Sequence, residues 1–247
     1  MGKGPWCAGL PMAKVQHGDE LEPLTLIVPY YDNPVFLETQ GEVWRSYPSD
    51  LASLLTVIVV DDGSPVPCAL PRDLPCSVRL FRIGVDVRWN WLAARNIGAH
   101  HADDGWLLLT DMDHVVPSDT LRSVMSAWLD PSTVYAFSRR EHTGEPVTPH
   151  SASFLMTKDT FWKVGGYDEV LSGHYGTDGD YRRRLATVAP IQVLPDALIR
   201  HEYVADSSTV RYKRKQPEDA AVSRLIAKRG KGWRPRVLSF PYAEVSA

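Results

Sequence analysis

Several things are scarce or missing in this 247-residue chain. It has no long apolar run: the opening stretch MGKGPWCAGLPMAKVQHGDELEP is broken by prolines and charges, so it reads as neither a signal peptide nor a membrane anchor. It also lacks the Ser or Thr of a myristoylation signal, and a cytoplasmic enzyme is the simplest expectation. There are only three cysteines, Cys7, Cys68 and Cys76, an odd number without a CxxC pair, which argues against a disulfide framework and a zinc ribbon. No internal repeat and no low-complexity tract is present, so solenoids and extended disorder drop out.

What is present suits a soluble globular protein: 44% of residues are hydrophobic and 23% charged, enough to bury a sizeable core. The length fits one elaborated domain better than two. The formal net charge of −3 conceals an asymmetry, because the segment from Arg211 to Arg236 holds ten Lys or Arg against two acids, Glu218 and Asp219. The reading is an N-terminal extension over 1–22, a domain over 23–205 and a basic helix and tail over 206–247.

Short β-branched runs bounded by Pro, Gly or Asp predict strands at 24–29, 55–62, 77–83, 106–111, 133–138, 151–157 and 191–195. Helical stretches fall at 33–46, 90–102, 117–129 and 177–188, with a further helix at about 217–229 in the basic segment. Strand alternating with helix predicts an α/β fold with a Rossmann-like, mostly parallel central sheet flanked by helices. The Pro-rich SPVPCALPRDLP (64–75) reads as a surface excursion. In such sheets ligands bind at the carboxyl ends of the strands, and YYDN, DDGSP and DMDH follow three of the predicted strands.

Asp61 and Asp62 end the second strand, where a carboxylate can accept from a pyrimidine imino group or a ribose hydroxyl; capping a turn is the plainer role. Asp111 and Asp113 flank Met112, and on an extended chain their side chains would share one face while His114 points away. Two hard oxygen ligands suit Mg2+ or Mn2+ alongside substrate phosphates. LAARNIGAHHA reads as an amphipathic helix on which Arg95 is either a phosphate or base contact or a solvated surface arginine. Trp89 and Trp91 stack on a base or fill core.

The ordered series LTLIVPYYDNP, VIVVDDGSP, LAARNIGAHHA, WLLLTDMDHVVP, FWKVGGYDEV and YGTDGDYRRRL resembles the GT-A-fold glycosyltransferases of family 2. The last two segments are also similar to the β4-galactosyltransferase C-terminal region. The resemblance spans roughly 24 to 203. It implies transfer of a sugar from a nucleotide-sugar, UDP-linked in many members, with Mn2+ or Mg2+. On that basis Pro29, Tyr30, Asp61 or Asp62, Arg95 and Asp111 fall at donor-binding positions, and Asp111, Asp113 and His201 at metal-ligand positions. Asp178 matches the general base of an inverting transfer. Thr177 replaces a usual glutamate, which puts the ordinary acceptor contact in doubt.

Gly166, Tyr167, Thr177, Asp180 and His174 are candidate acceptor contacts, with His150 beside them; N-capping of the following helix is the alternative for Asp178 and Asp180. Asp168 and Glu169 are expected to order their loop, and RYKRKQ (211–216) either folds over the donor or forms a solvated basic face. The basic tail raises DNA as a partner, the acceptor then being a hydroxymethylated pyrimidine of viral DNA. A rival class is a non-catalytic nucleotide-sugar-binding module. A sugar-phosphate nucleotidyltransferase would need a Gly-rich basic loop after the first strand, and YYDNPVF is not one.

Overall fold

The computed structural model describes residues 7–200 and 221–245. Ten strands form one sheet: β1 (Leu24–Tyr30), β2 (Leu55–Asp61), β3 (Ser77–Ile83), β4 (Trp106–Leu109), β5 (His114–Val115), β6 (Val134–Glu141), β7 (Pro146–Val147), β8 (Phe154–Thr157), β9 (Ile191–Arg200) and β10 (Tyr242–Val245). Their order is β10-β3-β2-β1-β4-β8-β6-β9-β5, with β7 beside β6. The block β3-β2-β1-β4 is parallel, β8 runs antiparallel between β4 and β6, and β9 is parallel to β6. Most of the sheet therefore runs one way, as the strand–helix alternation predicts.

The main helices are α1 (Pro34–Arg45), α2 (Ser49–Ala52), α3 (Trp91–His101), α4 (Ser118–Ser126), α5 (Lys158–Lys163), α6 (Asp178–Leu185) and α7 (Ala221–Ala227). Both faces of the sheet are covered, which is why β1 and β2 are apolar almost throughout rather than alternating. One cluster packs Trp44, Leu51, Val57 and Val59 under α1 and α2, and the other packs Ile27, Ile58, Ile97 and Phe161 under α3 and α5. Among the described residues no helix is long and apolar enough to cross a membrane.

Three local expectations change. Helix α3 is buried all round, Arg95 and Asn96 included, so it is not amphipathic and Arg95 is not a solvated arginine. The Pro-rich excursion after β2 is partly packed: Cys68 and Cys76 are buried, and a Cβ on Gly41 of α1 would fall 2.7 Å from Pro71. The end of the chain folds back, β10 pairing antiparallel with β3, where the sequence suggested only an extended tail. His201 and the 211–216 run lie outside the described residues.

Candidate functional site

Strands β1, β2 and β4 are parallel neighbours, so their carboxyl ends open at one edge, and a cavity of about 690 Å³ lies there. Pro29 and Tyr30 from the end of β1 line it, with Tyr31, Asn33 and Phe36 from the turn into α1. That turn is locally encoded: the Asn33 side chain caps α1 by accepting from Phe36 N, and Pro34 needs no amide partner at the first helical position.

The paired acids after β2 have separate duties. Asp61 is fully buried and accepts from Ser64 N at 2.8 Å and Cys68 N at 3.0 Å, with Arg82 3.7 Å away. It staples the loop and does not line the cavity, so the structure moves it from a donor contact to loop support. Asp62 does line the cavity, and its Oδ1 is buried without a hydrogen-bond partner among the described residues. Burial, followed by repulsion from Asp61 and Asp86, raises its carboxyl well above the usual range. Gly63 follows at φ +96°, where a Cβ would meet Val85 O at 2.1 Å; only glycine lets the two loops approach so closely.

Asp111 and Asp113 both face the cavity, though not by strand alternation. Strand β4 stops at Leu109 and the DMD residues form a turn closed by His114 N donating to Asp111 O at 3.0 Å. Gln40 pins it from α1, its Nε2 donating to Met112 O and His114 O. The turn brings His114 back: Nδ1 lies 2.7 Å from Asp113 Oδ1 and Nε2 3.1 Å from Arg139 Nη1, so the tautomer with the proton on Nδ1 satisfies both. His114 thus touches the acid it was expected to face away from. Arg95 does not line the cavity; from beneath, its Nη2 donates to Asp111 Oδ1 at 2.5 Å, while Nη1 donates to Ala152 O and Tyr167 Oη. Its guanidinium also lies over Trp91, 4.7 Å from the ring centre.

The loop of residues 150–153, between β7 and β8, joins these parts. His150 stacks on His114 with ring centres 4.7 Å apart, Nε2 3.4 Å from Asp111 Oδ2, and burial lowers its pKa to about 4. Ser151 Oγ donates to Asp178 Oδ2 at 2.5 Å. Asp178 is the first residue of α6, and Tyr175, Gly176 and Thr177 lead it along the cavity wall. Trp89 and Trp91 complete the wall; Trp89 holds φ 55° with its ring 5.3 Å from that of Tyr175. A bulky residue in the left-handed region is strained, as site residues often are.

Four expected acceptor contacts lie away from the cavity lining. Tyr167 is buried against Tyr181, ring centres 3.8 Å apart, and Gly166 accepts from Arg184 through its carbonyl. Asp180 is held by Arg184 and Arg229, and His174, within the loop before α6, is not among the lining residues. Asp180 is also no helix cap, its carboxylate being taken by those two arginines. Ser151 was not marked by the sequence, since a lone serine in a loop carries no motif. Asp168 and Glu169 do order their loop, by binding the C-terminal segment: Arg236 N donates to Asp168, and Leu238 N, Ser239 N and Ser239 Oγ donate to Glu169.

The acids in the lining have no basic counterpart: Asp62, Asp111, Asp113 and Asp178 contribute, and among the described residues no Lys or Arg does. Among the described residues no group of three His, Cys, Asp or Glu is arranged to hold a metal ion. Asp111 and Asp113 nevertheless fit as two hard ligands on a turn, the usual protein share for a cation that also binds phosphate.

This topology, with its site at the carboxyl edge of a parallel block, defines a GT-A-type α/β domain. The chain belongs to glycosyl transferase family 2, whose model matches residues 25–206. No curated protein sequence gives a match. Among solved structures, S. aureus TarS 1–349 in complex with UDP-GlcNAc has a TM-score of 0.62 at 17% identity, covering 83% of this chain and 65% of that one. GalNAc-T7 with UDP, GalNAc and Mn2+ has 0.60 at 14%, covering 87% and 49%. The mannosyltransferase PcManGT from Pyrobaculum calidifontis, with GDP-Man and Mn2+, has 0.56 at 16%, covering 89% and 73%. The chain thus spans 65% of the TarS 1–349 length.

Proposed function

We propose that the cavity transfers a sugar from a nucleotide-sugar, UDP-linked, to an acceptor hydroxyl with inversion, Asp178 being the general base. The observation that carries this reading is the convergence of Asp111, Asp113 and Asp178 on one cavity with no Lys or Arg lining it among the described residues. Such a surface repels a diphosphate unless a cation intervenes. Held by Asp111 and Asp113, Mn2+ or Mg2+ would supply that charge and stabilise the leaving diphosphate; His201, outside the described residues, is the expected third ligand. The neighbouring structures with UDP or GDP-Man and Mn2+ support the same choice.

Pro29, Tyr30 and Asp62 would hold the nucleoside. Burial makes the Asp62 carboxyl hold its proton more tightly, and a protonated carboxyl donates as well as accepts, which suits an edge of a nucleobase. Arg95 orients Asp111 from below rather than touching donor. Asp178 takes the acceptor proton as the hydroxyl attacks, and Ser151 fixes which carboxylate oxygen faces the cavity. Thr177 and Tyr175 stand next to that base, where an acceptor would lie.

The test is Asp178→Asn. UDP release from UDP-GlcNAc, UDP-glucose or UDP-galactose with Mn2+ should fall at least about a thousandfold while UDP binding by calorimetry is retained. Full activity in this variant would refute the assignment, and UDP binding without turnover in the unaltered protein would favour the non-catalytic module. DNA as acceptor rests on the basic segment from Arg211 to Arg236, of which residues 211–220 lie outside the described residues. A salt-dependent gel shift with duplex DNA decides it.

A further inference from the structure

Residues 221–245 lie beyond the 25–206 span that matches the family, yet they grip the elements that carry the site. We infer that Arg229, on this segment, is a positioning residue for Asp178, an inference that rests on reading Asp178 as the base. Arg229 Nη2 donates to Asp168 Oδ2 at 2.6 Å, and Nη1 donates to Asp180 Oδ1 at 2.5 Å. The guanidinium lies 3.8 Å from the centre of the Trp233 ring. Its side chain is 13% exposed, and it does not line the cavity.

Asp180 sits two residues after Asp178 in the first turn of α6. Arg184 holds it as well at 3.0 Å, and donates in turn to Val164 O and Gly166 O at 2.9 Å each. The start of α6, the GGYDE loop and the C-terminal segment are therefore one hydrogen-bonded block. Helix α6 needs that support: it has eight residues, too few to be stable alone, and Thr177 makes no side-chain capping bond. The direction of Asp178 into the cavity is thus set from behind by the arginine pair on Asp180 and from in front by Ser151. A general base must lie within hydrogen-bond reach of its proton, and a shift of about 1 Å costs about a hundredfold in rate.

Buried ion pairs are a poor route to stability, since well-packed apolar replacements are often as stable. A forked two-acid clamp does fix geometry, because a guanidinium holds its donors to two carboxylates in one rigid plane. Lysine keeps the charge and loses the fork.

The experiment compares Arg229→Lys, Arg229→Met and Arg229→Ala with Asp178→Asn, following turnover of whichever of UDP-GlcNAc, UDP-glucose and UDP-galactose the unaltered protein consumes. The expected result is a kcat at least about tenfold lower in the Lys and Met variants, with donor KM within about twofold. Millimolar guanidinium chloride should restore activity several-fold in Arg229→Ala and leave Arg229→Lys unchanged. Unaltered kcat in either folded variant overturns the inference, and so does a parallel loss of kcat, donor KM and melting temperature without rescue. If Arg229→Met does not fold, Arg229→Lys alone decides on kcat. Full activity in Asp178→Asn would instead remove the base assignment itself, whatever the Arg229 variants do.

Discussion

Arg95 and Asp111 are joined across the floor of the cavity, the arginine fully buried and the aspartate 38% exposed, with 2.5 Å between Nη2 and Oδ1. The arginine's other bonds go to Ala152 O and Tyr167 Oη, so one buried guanidinium ties two residues of the lining, Asp111 and Ala152, to the core. Arg95→Met should therefore lower stability by about 2–3 kcal/mol, through orphaned buried acceptors, and weaken Mn2+-dependent UDP binding as well. Arg95→Lys should restore neither, because one ammonium cannot span three acceptors in a plane. Thermal unfolding and calorimetry check both.

The two acids after β2 should respond in opposite ways. Asp61→Asn sacrifices an acceptor for Ser64 N or Cys68 N and should cost about 1–3 kcal/mol. Asp62→Asn should be close to neutral near pH 4 and increasingly favourable as pH rises. With its folded pKa raised, Asp62 holds its proton longer in the native state than in the unfolded chain, so native stability falls as pH rises above the unfolded value near 4. Denaturant titrations from pH 5 to 8 should show a flatter profile for Asp62→Asn.

His150 gives the reverse slope. Its pKa drops from 6.5 to about 4 on folding, so the unfolded state binds the extra proton between those values. Stability is complete above pH 6.5 and declines as pH falls toward 4. The full shift corresponds to about 3 kcal/mol, reduced because a fifth of the side chain faces solvent. Urea unfolding at pH 5 and 7.5 should lose most of this difference in His150→Gln.

Gly98 tests the packing of α3 on the sheet. A Cβ there would lie 2.4 Å from Ile27 Cγ2 in the middle of β1. Gly98→Ala should destabilise by about 1–3 kcal/mol despite alanine's better helix propensity. Ile27→Val alongside it should recover part of the loss, measurable by chemical denaturation.

The longer strands and helices were legible because their apolar runs and breakers are local: 77–83 matches β3 and the expected helices differ at their ends, while the short α2, α5, β5, β7 and β10 had no expected counterpart. The carboxyl-edge location followed from chain order, and DMD, Asp62 of DDGS and the Thr177-Asp178 pair do meet in one cavity. What stayed hidden depends on direction or on distant partners. Neighbouring Asp61 and Asp62 look alike until the loop path sends one inward and the other toward the cavity. The polar content of α3 disguised its burial, because the partners of Arg95 and Asn96 lie 16 to 73 residues away. Asp180 resembled a cap or a sugar ligand, and its partner Arg229 is 49 residues downstream. Ser151 and His150 belong to a loop that no short pattern marks.

Strand β10 covers the flank of β3 that would otherwise be left without a neighbour on that side, and the Arg79 guanidinium clasps Glu244 across the pair at 2.8 Å. A chain shortened to stop before Tyr242 would bare the Leu80–Ile83 stretch of β3, with its amides and carbonyls on that side unsatisfied. Such a truncated product should self-associate through that rim, and would report on solubility rather than on chemistry.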